Sequence, residues 1–258
     1  ISVTEMQHFQ QPEILFIAAV DVADNGLILE KLPANIRTAA YVSPSNHMFT
    51  GAVMPVGRRY ELLRWAEAND SYIIEDDYDS ELRYFGRPVP ALKGLESSSH
   101  VIYLGSFSST LFAAVKISYM VLPDEMNFLF SSIAQDYTQT CSKLEQLTLA
   151  LFMETGNYQT HIKKLRKLYS QKLAAVTDTF EREASGFIDV KNTSSGVNVI
   201  LKVHSDKKID TLKKEAEDLG IPITGIENDF IMFYYNQIPL AEIPQLLTEL
   251  IRVWREAS

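Results

Sequence analysis

The tract Val101-Ile102-Tyr103-Leu104-Gly105-Ser106-Phe107-Ser108-Ser109-Thr110-Leu111 constrains the fold more than any other segment of the chain. Its first half is apolar and of strand type, and its second half is a small, hydroxyl-rich loop. Open α/β sheets present phosphate and cofactor sites in this way, outside the carboxyl ends of their strands. Neighbouring segments extend the pattern. Ile14 to Val20 is a continuous apolar run, as expected of a strand covered on both faces, and Asp24-Asn25-Gly26 supplies a turn after it. Thr38 to Val42, Tyr72 to Ile74 and Ile117 to Leu122 read as further strands, and residues 58–68 as a helix carrying Leu62, Leu63 and Ala66 on one side. Such alternation predicts a mainly parallel sheet with helices on both faces.

The middle of the chain is helical. Leu144, Leu147 and Leu151 mark one amphipathic helix, closed by Gly156. Ile162, Leu165, Tyr169, Leu173, Val176 and Phe180 then recur at helical steps, which predicts a helix of about 25 residues, ~38 Å long. Its basic run Lys163-Lys164-Leu165-Arg166-Lys167 reads as a solvated face, with contact to an anion as the alternative. Beyond it, Val197–Val203 and Phe230–Tyr235 read as strands. Helices are predicted from about Asp206 to Gly220 and from near Pro239 to Trp254. The expected organisation is a partial large lobe over 1–155, a connecting helix over 156–184 and a small C-terminal α/β lobe over 185–258.

Charge and cysteine usage narrow the function classes. The 258 residues include 24 Lys and Arg against 33 Asp and Glu, a formal net charge of −9. A duplex-binding face normally carries an excess of Lys and Arg, so these residues are not expected to bind nucleic acid themselves. Cys141 is the only cysteine and cannot form an internal disulfide. With no secretion signal and no apolar stretch near the ~20 residues of a spanning helix, the chain is expected to be cytoplasmic and free of the membrane. A zinc-ligand spacing, a P-loop and a complete nucleophile elbow around Ser108 are all absent from the sequence.

Glu75-Asp76-Asp77-Tyr78-Asp79-Ser80-Glu81 follows a buried strand. A carboxylate there can hold a protonated heterocyclic nitrogen, and a nearby phenol can bond a ring oxygen. On composition alone the run also reads as a solvated acidic turn. The order of segments decides between the two. Asp24-Asn25-Gly26-Leu27, Tyr41-Val42-Ser43-Pro44-Ser45 with Thr50-Gly51 and Met54-Pro55, Asp76-Asp77-Tyr78-Asp79-Ser80-Glu81 with Arg83-Tyr84, Arg87-Pro88-Val89-Pro90-Ala91-Leu92-Lys93, Val101 to Ser108, and Ile117 to Pro123 follow one another. In that order they resemble the aminotransferase-like domain of MocR/GabR-type transcription regulators of the GntR superfamily. The resemblance covers nearly the whole chain and weakens after about residue 185.

This resemblance implies the aspartate aminotransferase fold of pyridoxal-phosphate (PLP) transferases, with the N-terminal part of the large lobe missing and Ile1 lying inside that lobe. It implies a homodimer, a small-molecule effector such as an amino acid or a PLP adduct, and DNA contact only through an N-terminal winged-helix domain absent from this chain. Asp76 matches the aspartate that pairs with the pyridine nitrogen, and Tyr78 the tyrosine near the ring's 3-oxygen. Ser106 and Ser108 match hydroxyl residues around the phosphate and the lysine loop. Ser109 stands where the family has the lysine that attaches the cofactor as a Schiff base, and Lys116 where it has a phosphate-binding arginine. Phe9 matches the aromatic residue that stacks on the ring.

Departures from the family pattern set the expected activity. A serine hydroxyl cannot attach the cofactor, and lysine lacks the planar fork of arginine. Phe49 replaces a usual proline, and Ile226 to Asn236 contains no arginine to bind a substrate carboxylate. The expected function is therefore an effector-sensing, dimerising domain that does not catalyse, with PLP bound noncovalently or lost. One alternative is a cofactor-free scaffold in which Met48, Phe49 and Phe112 fill an emptied pocket. Another is an active PLP enzyme that recruits Lys116, with His47 as an available general base.

Overall fold

A computed structural model describes residues 18–23, 25–84, 89–96, 98–111, 115–136, 138–226 and 230–256. Phe9, Asp24, Arg87, Pro88, Phe112 and most of the Ile14–Val20 run lie outside them. Residues 18–20 are not in a strand. A short hairpin, β1 (Val22–Ala23) and β2 (Gly26–Leu27), pairs Val22 with Leu27 across the expected turn.

The first large sheet contains β3 (Ala39–Val42), β4 (Tyr72–Asp77), β5 (Val101–Ser106) and β6 (Ser118–Val121), in that spatial order. The first three run parallel and β6 is antiparallel to β5. Helix α1 (Val56–Ala68) makes the crossover from β3 to β4. It buries Leu62, Leu63 and Ala66 against Val42, Ile73, Leu92 and Val101. Gly105 allows the sheet to take Tyr119 on the neighbouring strand: a Cβ at this position would lie 2.3 Å from the Tyr119 ring.

Helices α2 (Asp124–Ile133) and α3 (Lys143–Glu154) follow β6. The sequence reading anticipated α3 and missed α2, whose consecutive apolar residues Phe128, Leu129 and Phe130 hide a helical period. Helix α4 (Asn157–Ala184) runs 28 residues, somewhat longer than expected, and buries Leu173, Val176 and Phe180 in its second half.

The C-terminal sheet is antiparallel, in the order β7 (Ile188–Lys191), β8 (Asn198–Val203), β10 (Phe230–Tyr234), β9 (Ile223–Ile226). Strands β7 and β9 have only four residues each, too short for a clear alternation to be read beforehand. Helices α5 (Ile209–Asp218) and α6 (Ile243–Arg255) cover one face together with α4. Trp254 closes this core and donates its indole N–H to Leu212 O at 3.0 Å. Helix α6 starts at Ile243 rather than near Pro239, because a turn bonded from Glu242 N to Pro239 O precedes it.

The sheets meet through a short clasp. Tyr84 N donates to Ser194 O (3.0 Å) and Gly196 N to Leu82 O (2.9 Å). Tyr84 and Tyr235 both donate their hydroxyls to Gly196 O, at 2.5 and 2.7 Å. Nearby, Gly51 has φ +66°, and a Cβ there would lie 2.5 Å from Asn192 Cβ. The loop after β3 therefore packs directly on the loop between β7 and β8.

Candidate functional site

Strand register brings the sequence-identified residues to one edge of the sheet. Asp76 and Asp77 pair with Leu104 and Gly105, so Tyr78 lies level with Ser106. Ser106 in turn pairs with Ser118, so Lys116 lies just beyond on the same edge. This is the carboxyl end of the parallel strands, where open α/β sheets hold ligands.

The side chains there are already engaged. Asp76 accepts a hydrogen bond from the Tyr41 hydroxyl on β3. Burial, then the Asp76 carboxylate, pushes the Tyr41 phenol above its ordinary range. Tyr78 donates to Asn46 O at 3.1 Å, and its phenol is raised first by burial and then by Asp79 and Asp76. Asn46 is buried, and its Oδ1 has no hydrogen-bond partner. Asp77 lies on the opposite face of β4 and accepts from the Tyr103 hydroxyl at 2.7 Å.

The hydroxyl loop is folded on itself. Ser108 N donates to Ser106 Oγ (3.2 Å), and Ser108 Oγ donates to Val115 O (3.0 Å). Thr110 Oγ1 lies 3.2 Å from the Tyr158 hydroxyl, and Thr110 O accepts from or faces His161 Nε2 at 2.7 Å, which ties the loop to α4. The Ser109 hydroxyl lies near the Asp79 carboxyl group and lowers its pKa. Among the described residues of this loop, Ser108–Leu111 and Val115–Lys116 are not helical, and Lys116 is exposed. Met48 and Phe49 are also exposed and fill no pocket. His47 places Nδ1 2.9 Å from Thr50 Oγ1, and burial pulls its imidazole below the ordinary value.

Asp79 is the most perturbed carboxyl group of this region. Burial pushes its pKa up to about 6, the Ser109 hydroxyl pulls the other way, and Asp76 and Asp77 add to the rise. Its unfolded value is near 3.8, so the folded state holds the proton more tightly. The resulting stabilisation is full below the unfolded pKa and is lost as pH rises through about 6. Asp79→Asn removes the charge with little change of shape. It is expected to raise the unfolding free energy at pH 8 by about 2–3 kcal/mol, with the gap narrowing toward pH 4. Urea unfolding of both proteins across this range checks it.

Sequence reasoning named Asp76, Tyr78, Ser106, Ser108, Ser109 and Lys116 as candidates and did not identify the side chains they meet. Tyr41, Tyr103 and Asp79 belong to the same motifs, but no spacing reveals which carboxylate each side chain meets. Arg83, Arg166 and Ser195 line a shared cavity with Asp79. They come together only when the lobes pack, so no sequence signal marks them.

No protein-family model matches the chain. Among solved structures it is similar to kynurenine aminotransferase of Pyrococcus horikoshii, with a TM-score of 0.76 and 22% identity over 92% of this chain and 64% of that one. An archaeal alanine:glyoxylate aminotransferase has a TM-score of 0.79 at 18% identity, over 93% of this chain and 64% of that one. The fold is thus that of the PLP-dependent aspartate aminotransferases.

Curated relatives are regulators. The HTH-type transcriptional regulator YdeL of Bacillus subtilis is 39% identical over 207 residues, 80% of this chain and 45% of that protein. The probable rhizopine catabolism regulatory protein MocR of Rhizobium meliloti is 30% identical over 190 residues, 74% of this chain and 38% of that protein. The pyridoxine biosynthesis regulator PdxR of Corynebacterium glutamicum is 31% identical over 224 residues, 84% of this chain and 47% of that protein. The chain belongs to the MocR type of HTH transcription regulators, within their aminotransferase-like domain. It spans under half the length of these relatives.

Proposed function

We propose that this chain is the effector-sensing and dimerising domain of a transcription regulator, one that holds PLP without a covalent bond and does not catalyse transamination. The observation that carries this reading is the contrast at the sheet edge. Asp76 and Tyr78 lie at the carboxyl end of the parallel strands with Tyr41 and Asn46 as partners, while Ser109, which the resemblance aligns with the attaching lysine, offers a hydroxyl and no amine beside Asp79. The unpartnered, buried Oδ1 of Asn46 beside Tyr78 is a further sign of a cradle for a polar ligand.

In this reading Asp76 pairs with the ring nitrogen, oriented by Tyr41, and Tyr78 meets the 3-oxygen. Ser106, Ser108 and Lys116 take the phosphate, Lys116 as a point charge without arginine's fork. When bound, the group supplies an electron sink. Without an amine at position 109, this chain keeps the recognition and loses the attachment. Substrate grip is reduced as well: Ile231, Met232 and Phe233 of β10 are buried core, with no arginine among them. That last feature also favours the cofactor-free scaffold as a second reading.

The same proposal divides the chain near residues 155 and 185, in keeping with the separate cores of the two sheets. It assigns self-association to the exposed apolar faces of α2 and α3, where Phe128, Leu129, Leu144 and Leu147 project into solvent. An exposed apolar face of this kind marks an interaction surface. DNA contact and a cytoplasmic location belong to the whole regulator under this reading.

Titration with PLP, with light scattering on the same samples, tests the proposal. The expected result is saturable binding that dialysis reverses, a mass twice that of one chain, and at least tenfold weaker binding by Asp76→Ala, about 1.4 kcal/mol. Absence of saturable binding selects the scaffold. Turnover of an amino donor contradicts both readings.

A further inference from the structure

We propose that the cavity at the junction of the two lobes binds a small free amino acid. It is a second site: none of Asp76, Tyr78, Ser106, Ser108 or Lys116 lines it. Its walls are Ser45, Asp79, Ser80, Arg83 and Val89 from the first lobe, Arg166 from α4 and Ser195 from the C-terminal lobe. The volume is about 130 Å³. That is about four water volumes, the scale of a small amino acid.

Two buried polar atoms on this cavity lack partners. Asp79 and Ser195 are only 7% and 2% exposed, and neither Asp79 Oδ1 nor Ser195 Oγ makes a hydrogen bond within the protein. Buried polar groups are ordinarily satisfied, so two orphans on one cavity point to a ligand that completes them.

The arrangement of charge identifies the ligand class. Arg83 and Ser195 oppose each other across an antiparallel bridge, flanked by the Tyr84 N to Ser194 O and Gly196 N to Leu82 O hydrogen bonds. In such a pair the side chains project on the same side and lie close. Arg166 donates Nη2 to Arg83 O at 2.7 Å, which holds its guanidinium at the cavity. Guanidiniums are suited to a carboxylate. Asp79 supplies the complementary anion for an ammonium group, and the hydroxyls of Ser45, Ser80 and Ser195 complete the polar lining. The Arg166 guanidinium and the buried Asp79 carboxylate on one cavity are the complement of a zwitterion.

Arg166 belongs to the basic run of α4 and is exposed like Lys163, Lys164 and Lys167, and it is the member of that run that lines the cavity. The anion-contact reading of that run applies to Arg166 alone. Because the walls come from both lobes and the connecting helix, an occupant favours the closed arrangement over any other. A ligand acts as an effector through such differential affinity.

Calorimetric titration of the protein with glycine, L-alanine, L-serine and L-aspartate, in the absence of PLP, tests the proposal. Omitting PLP separates its failure from failure of the cofactor reading. At least one amino acid is expected to bind one per chain, with acetate and methylammonium each at least tenfold weaker. Asp79→Asn and Arg166→Gln are each expected to weaken binding at least tenfold, and circular dichroism verifies that both variants fold. Failure of all four amino acids to bind, or equal affinity in both cavity variants, overturns the proposal.

Discussion

Arg59→Met is expected to destabilise the protein by about 3–5 kcal/mol, the cost of breaking a buried ion pair from one side. Arg59 and Glu75 are both fully buried, with the guanidinium 3.7 Å from the carboxylate. The guanidinium also donates to Met54 O (3.0 Å), Pro90 O (2.9 Å) and Pro44 O (2.8 Å). Glu75 accepts from Leu92 N and Lys93 N at 2.7 and 2.9 Å. Burial pulls the Arg59 pKa down, with Glu75 opposing, and pushes the Glu75 pKa up against its two backbone donors. Methionine keeps most of the stem's packing, leaves the buried Glu75 charge without its cation, and takes one donor from each of three carbonyls. Adding Glu75→Gln removes the stranded charge, so the double variant is expected to lose less than the sum of the two single losses. Urea unfolding midpoints of the three variants measure this, and a loss below about 1 kcal/mol for Arg59→Met would contradict the argument. The same network ties together Pro44, the start of α1, β4 and the turn at Leu92. The loop carrying Ser45 and Asn46 and the strand carrying Asp76 are therefore positioned by one buried pair.

Ser109→Lys is expected to convert reversible PLP binding into covalent attachment, with release at least tenfold slower, equivalent to about 1.4 kcal/mol. The position follows the carboxyl end of β5, on the edge that also carries Asp76, Tyr78 and Lys116. The Ser109 hydroxyl now lies near the Asp79 carboxyl group. A lysine there gains Asp79 as an ion partner and presents a primary amine to the aldehyde of the cofactor. Covalent capture would be read as PLP retained through gel filtration and fixed to residue 109 by borohydride. A variant that binds and releases PLP as the natural protein does would show that the edge is not arranged for the cofactor.

Strand periodicity and turn residues made much of the fold legible before any coordinates. Val101 to Ser106 emptying into hydroxyl residues located the ligand edge, and the leucine and aromatic repeat of residues 162–180 located α4. Both signals are local. The short strands β7 and β9 and the apolar run of α2 were illegible because each lacks the length or alternation that separates strand from helix. Of the site, Asp76 and Tyr78 were readable because they share one motif at a strand end. The proximity of Ser109 to Asp79 and the cavity of Arg83, Arg166 and Ser195 were not, because they depend on how distant segments pack. Arg59 and Glu75 likewise read from sequence as ordinary helix and strand-end charges, and only burial reveals their pairing.

The central claim is recognition of PLP without attachment. Its most direct test is to saturate the natural protein with PLP, reduce with borohydride, and map any modified lysine by mass spectrometry alongside Ser109→Lys. The account predicts PLP bound but unattached in the natural protein, and a single modified lysine at position 109 in the variant. PLP fixed to Lys116 or another lysine of this edge in the natural protein would contradict it.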